Sequence, residues 1–149
     1  MTTFDEPKTI LLLREWNFLL FEQFKLGEIL SKSPFSDWGE EEVKSALSEC
    51  YKWAKEISGP INANGDMEGC RLEDGKVYTP KGFKEAYKHF VAGGWMALNA
   101  DPNYGGQGLP KTLQICLDEM LASANVSFSL YTVLTQGAVH AIQKYASDA

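Results

Sequence analysis

The sequence predicts an all-α fold, a bundle of about five helices with a small hairpin excursion near residues 69–79. Three observations carry that expectation. Apolar residues recur three and four apart in five segments, the spacing that lines one face of a helix. Capping residues, glycines and prolines fall between those segments, where helices start and stop. One Asp-Gly pair, Asp74-Gly75, lies between two short runs that read as strands. With 149 residues, 44% hydrophobic and 23% charged, the chain is long and apolar enough to fold around a core.

The elements follow in order. Thr9 can cap a first helix that begins at Ile10 and runs to about Leu30, in which Leu12, Trp16, Leu19 and Phe24, with Leu13 and Leu20 beside them, recur at roughly helical spacing. Ser31-Lys32-Ser33-Pro34 breaks it. Asp37, with Glu40 three residues on, has the form of a capping box for the second helix. Glu40, Glu41 and Glu42 then sit in a first turn where the helix dipole favours anions. Val43, Ala46, Leu47, Cys50, Tyr51, Ala54 and Ile57 form its apolar stripe, and Gly59-Pro60 ends it. Residues 61–79 read as a polar excursion with a type I′ hairpin at Asp74-Gly75. Thr79-Pro80 opens a third helix, Lys81 to about Ala92, with Phe83, Ala86, Tyr87, Phe90 and Val91 inward and Gly93-Gly94 as its stop.

Pro110 starts a fourth helix whose buried stripe is Leu113, Cys116, Leu117, Met120 and Leu121. Asn125 or Ser127 caps a fifth that runs to about Ala146. Its residues Phe128, Leu130, Tyr131, Val133, Leu134, Ala138, Ala141, Ile142 and Tyr145 leave no wide polar face, so it is expected to be central in its domain.

Charge is unevenly spread. Eighteen charged residues fall in the first 60 positions and six in the 59 from Val91 to Ala149, about a tenth against a usual quarter. A helix layer this poor in charge is built to be covered. The net charge of −6, with no cluster of Lys and Arg, argues against nucleic acid as a partner. Cys50, Cys70 and Cys116 match no metal or redox spacing and read as free buried thiols in a reducing compartment. The apolar run Ile10–Leu13 is interrupted by Arg14 and Glu15, so neither a signal peptide nor a membrane span is expected, and the cytoplasm is the expected location.

The residues do not assemble a recognisable catalytic set. Gly105-Gly106-Gln107-Gly108 has neither dinucleotide nor Walker spacing and no strand before it, so it reads as a tight turn whose glycines let two backbones approach. His89, His140 and the pair Asp118-Glu119 lack the spacing of a carboxylate and histidine metal site. No serine sits in a nucleophile elbow. Trp16, Trp53 and Trp95 read as core or interface mass rather than a ligand box.

A second level of pattern lies in particular residues. They are Asn62-Ala63-Asn64-Gly65-Asp66-Met67-Glu68-Gly69-Cys70, Asp74-Gly75-Lys76-Val77, and Thr79-Pro80-Lys81-Gly82-Phe83-Lys84-Glu85-Ala86-Tyr87. Gly94-Trp95, Tyr104-Gly105-Gly106-Gln107-Gly108-Leu109-Pro110, Glu119, Ala124 to Leu130 and Gly137-Ala138 follow. Together they resemble the N-terminal helical domain of the acyl-CoA dehydrogenase family. The Gly-Asp…Gly-Cys stretch and the leading helix look like the branch with a longer N-terminal region that includes methylthiopropanoyl-CoA dehydrogenase-like enzymes.

The resemblance implies an FAD-dependent oxidation of an acyl-CoA thioester to 2-enoyl-CoA, with electrons passed to an acceptor. It implies a leading helix, 1–30, and a helical domain, 31–149, that stops before the family's β-barrel and C-terminal bundle. Those later parts carry the flavin contacts and the catalytic carboxylate, so no catalytic, cofactor or metal residue is assigned to this chain and the chain alone is expected to be inactive. The last helix is implied to line the acyl pocket through Tyr131, Leu134 and Thr135. A homo-oligomer is implied as well. The alternative is a non-catalytic helical interaction module that uses the same apolar C-terminal face.

Overall fold

The structure is a computed structural model that describes residues 13–147, so the expected cap at Thr9 and the helix start at Ile10 lie outside the described residues. Residues 13–17 are helical and pass into a π-helical turn, Phe18–Gln23. This helix does not continue to Leu30. Lys25 adopts a left-handed backbone (φ 52°), and a separate short helix, α1 (Leu26–Leu30), follows it. The reason lies in the burial of Leu20 and Leu26, each 2% exposed. Six residues apart on one unbroken helix, they would point about 120° away from each other. The break turns Leu26 and Leu30 into the core beside Leu20.

Helix α2 (Glu40–Trp53) buries Val43, Leu47, Cys50 and Trp53. The capping box at Asp37 does not form: the N-cap is Gly39, in extended backbone and without a side-chain cap. The acids do occupy the first turn, where Lys44 pairs with Glu40 at 2.7 Å and Glu41 at 3.2 Å. These contacts raise the Lys44 pKa above its ordinary value, the hydrogen bond to Glu40 contributing most.

Gly59-Pro60 does not end the helical path either. α2 runs into a π-helical turn, Ala54–Ser58, then a 3-10 turn, Gly59–Ile61, then α3 (Asn62–Glu68), where the sequence pattern reads as loop. Pro60 lies at the start of the 3-10 turn, where a missing N–H breaks no bond. The wider π turn re-phases the chain so that Trp53, Ala54 and Ser58 all face inward.

The hairpin forms as its turn chemistry requires. β1 (Arg71–Glu73) and β2 (Lys76–Tyr78) pair antiparallel with Leu72 opposite Val77. Asp74 (φ 50°) and Gly75 (φ 74°) supply the two positive φ angles of a type I′ turn. Both of its faces are exposed.

Helix α4 (Phe83–Ala92) starts two residues later than Thr79-Pro80 implies, from Gly82 at φ 93°. No side chain caps it, but Glu68 accepts from the Lys81 amide at 2.9 Å and from the Asn64 side chain at 3.2 Å, tying α3 to the entry of α4. Phe83, Ala86 and Phe90 are buried as expected, but Tyr87 and Val91 are not. Gly94 ends the segment in left-handed backbone.

Two 3-10 turns, Trp95–Ala97 and Pro102–Tyr104, shape the glycine-rich stretch. Helices α5 (Lys111–Ala124) and α6 (Val126–Tyr145) then pack on each other. The expected stripe of α5 is buried in full, and Asn125 caps α6. The core centres on Trp53, whose ring lies 5.1 Å from Phe90 and 5.3 Å from Phe128. The fold is therefore all-α with one hairpin, as the sequence predicts; after the helical residues 13–17, six further α-helices, α1 to α6, follow among the described residues. No helix among the described residues is long and apolar enough to cross a membrane.

Candidate functional site

α6 divides into an anchored half and a bare half. At its start, the Asn125 side chain accepts from the Phe128 amide at 3.0 Å and donates to the Ser58 carbonyl at 3.1 Å. Phe128, Ser129 and Thr132 are buried. The two hydroxyls donate to carbonyls of their own helix, Ser129 to Val126 at 2.7 Å and Thr132 to Ser129 at 2.8 Å, so their burial leaves neither hydroxyl unpaired.

Past Thr132 the helix leaves the core. Val133, Leu134, Val139, Ile142 and Tyr145 are all exposed, Leu134 to 78%, and Leu130 is exposed before them. The expectation that α6 is central is overturned: the rest of the chain covers only the side that carries Phe128, Ser129 and Thr132. The expectation of a layer that needs covering is met by the same observation. Residues 126–145 hold no Asp or Glu, and Lys144 near the end is their one Lys or Arg. A bare apolar helix face of this kind marks an interaction or ligand surface.

The three implied lining residues do not share one environment. Tyr131, 41% exposed, leans toward α4, with its ring 6.3 Å from Phe83, 6.4 Å from Tyr87 and 6.1 Å from Phe128. Partial burial raises its hydroxyl pKa, with a smaller contribution from Cys70. Thr135 is exposed and donates to the Tyr131 carbonyl at 3.3 Å. Leu134 projects freely. Its exposed neighbours Leu130 and Val133 extend that surface, although the sequence pattern assigned both to the core. The signal that could have found them is the near absence of charge along the helix. Gly137 lies on this bare stretch, with open space where a Cβ would stand.

The glycine-rich stretch proves to be a turn closed on itself. Gly106, Gln107, Gly108 and Leu109 donate their amides to the carbonyls of Asp101, Ala97, Ala100 and Leu98 at 2.8–3.0 Å. A Cβ on Gly106 would overlap the Ala100 carbonyl, which is the close backbone approach read from the sequence. Trp38 donates to the Gln107 carbonyl at 2.9 Å, and Gln107 to that of Gly94 at 3.0 Å. With those amides already used, this loop offers no cradle for a phosphate or for the pyrophosphate of a dinucleotide.

The thiols divide as well. Cys50 and Cys116 are buried, whereas Cys70 is exposed, contrary to the expectation that all three are buried. Burial pushes the Cys116 thiol up to about 12, with Glu119 adding to the shift. It raises Cys50 further, helped by Cys116 and Asp118. Thiols so protonated are inert packing groups. A cleft of about 10 Å³, lined by Cys50, Trp95, Leu98 and Leu113 among others, is too small for an organic ligand.

Residues 71–149 match the family model described as acyl-CoA dehydrogenase, N-terminal domain. Over 137 residues the chain is 39% identical to a 3-methylmercaptopropionyl-CoA dehydrogenase of Ruegeria pomeroyi, an alignment that covers 92% of this chain and 23% of that protein. A butyryl-CoA dehydrogenase of Syntrophomonas wolfei is 27% identical over 140 residues, 91% of this chain and 23% of the relative. A broad-specificity linear acyl-CoA dehydrogenase of Mycobacterium tuberculosis is 28% identical over 125 residues, 80% and 20% of the two. The chain thus spans less than a quarter of the length of these relatives.

Proposed function

Because this chain belongs to the acyl-CoA dehydrogenase family through its N-terminal domain, we propose that it supplies one wall of the acyl site in an FAD-dependent oxidation of an acyl-CoA thioester to 2-enoyl-CoA. The observation that carries this reading is the bare face of α6, apolar and uncovered around Leu134 while the start of the same helix is pinned by Asn125. Leu134, with Leu130 and Val133 beside it, buries the acyl chain and excludes water from it. Tyr131 and Thr135 border that surface.

In a complete enzyme, bound FAD would supply the hydride acceptor. The glycine-rich loop does not fit the pyrophosphate of that group, because it uses its amides internally. The chain's own part is therefore apolar enclosure, with the flavin platform and the base coming from other parts of the family's fold. The free thiols support a reducing, cytoplasmic setting.

The test is a chimera in which this chain replaces the matching N-terminal part of the Ruegeria pomeroyi relative. We expect a yellow protein that reduces a dye with an acyl-CoA, while the chain alone binds no flavin. A chimera that holds flavin but keeps its KM when Leu134 becomes Glu would overturn the acyl-wall assignment.

The second reading is a non-catalytic interaction module that self-associates through the same face, and the exposure of that face favours it. Sedimentation of the chain at several concentrations separates the two. A concentration-dependent dimer abolished by Leu134→Glu supports the module, and a monomer throughout removes it.

A further inference from the structure

We draw no further inference here: the strongest candidate, the exposed apolar face of α6 from Leu130 to Tyr145, belongs to the site already described, and nothing in the structure shows what covers it.

Discussion

The side chain of Asn125 donates to the backbone carbonyl of Ser58 across 3.1 Å, joining positions 67 residues apart, while its oxygen caps α6 through the Phe128 amide. One buried amide thus fixes both the start of the last helix and its position against the π-helical turn Ala54–Ser58. Replacing Asn125 by Ala removes the cap, worth about 1 kcal/mol. It also strands a carbonyl at a residue with no solvent exposure, costing about 1–3 kcal/mol. Urea unfolding should show a combined loss of roughly 2–4 kcal/mol. Asn125→Asp keeps the cap but sets a buried carboxylate oxygen against the Ser58 carbonyl, so at neutral pH it should be at least as destabilising as Asn125→Ala.

Two glycines should respond to alanine with opposite signs. Gly106→Ala drives a methyl group into the Ala100 carbonyl and should destabilise the chain by about 1–3 kcal/mol. Gly137→Ala meets open space inside a helix and should stabilise it by about 1 kcal/mol. Thermal melts of the two variants check both signs. In the chimera, a loss of activity by the stabilised Gly137→Ala variant would show that a ligand or another part of the enzyme approaches that position.

The thiols should react in a fixed order. Cys70 is exposed and should be alkylated in the native chain. Cys50 and Cys116, buried and protonated, should react at least about a hundredfold more slowly. Mass spectrometry of timed samples reads the order, and equal labelling of all three in the native chain would contradict the packing of α2 on α5.

Glu68 should give the chain an acid-sensitive joint. The Lys81 amide, and more weakly the Asn64 side chain, hold its carboxyl below the ordinary value of 4.5. A lowered folded pKa means that the carboxylate's stabilising contribution is complete above that ordinary value and is lost as pH falls through the folded one. As pH falls from above 4.5 through the lower folded value, the urea midpoint of the parent chain should therefore fall more than that of Glu68→Gln. Identical acid limbs would show that the clamp between α3 and α4 is without energetic consequence.

Leu134→Glu separates surface from core. At 78% exposure the change should move stability by less than about 0.5 kcal/mol. In the chimera, a charge in an apolar wall should lower kcat/KM by about tenfold or more. Parallel unfolding and steady-state measurements distinguish this from a loss of fold.

Much of the fold is legible in the sequence where the information is local. The type I′ hairpin follows from Asp74-Gly75, because few residue pairs accept two positive φ angles. The stripe from Leu113 to Leu121 follows from helical spacing, and the cap of α6, open between Asn125 and Ser127 in the sequence, falls to Asn125. Sequence pattern fails where the core re-aims the chain. The left-handed Lys25, the π turn at Ala54–Ser58 and the helical path through Pro60 each add or redirect a residue so that distant apolar groups meet.

The sequence by itself determined the all-α class, the hairpin, the closed glycine turn and the kinship that makes a charge-poor final helix meaningful. Tertiary structure alone decided which residues of that helix are core and which are bare. Apolar periodicity records that a side chain avoids water but not which neighbour removes it. Here Phe128, Ser129 and Thr132 are buried by the chain itself, whereas Leu134 remains exposed.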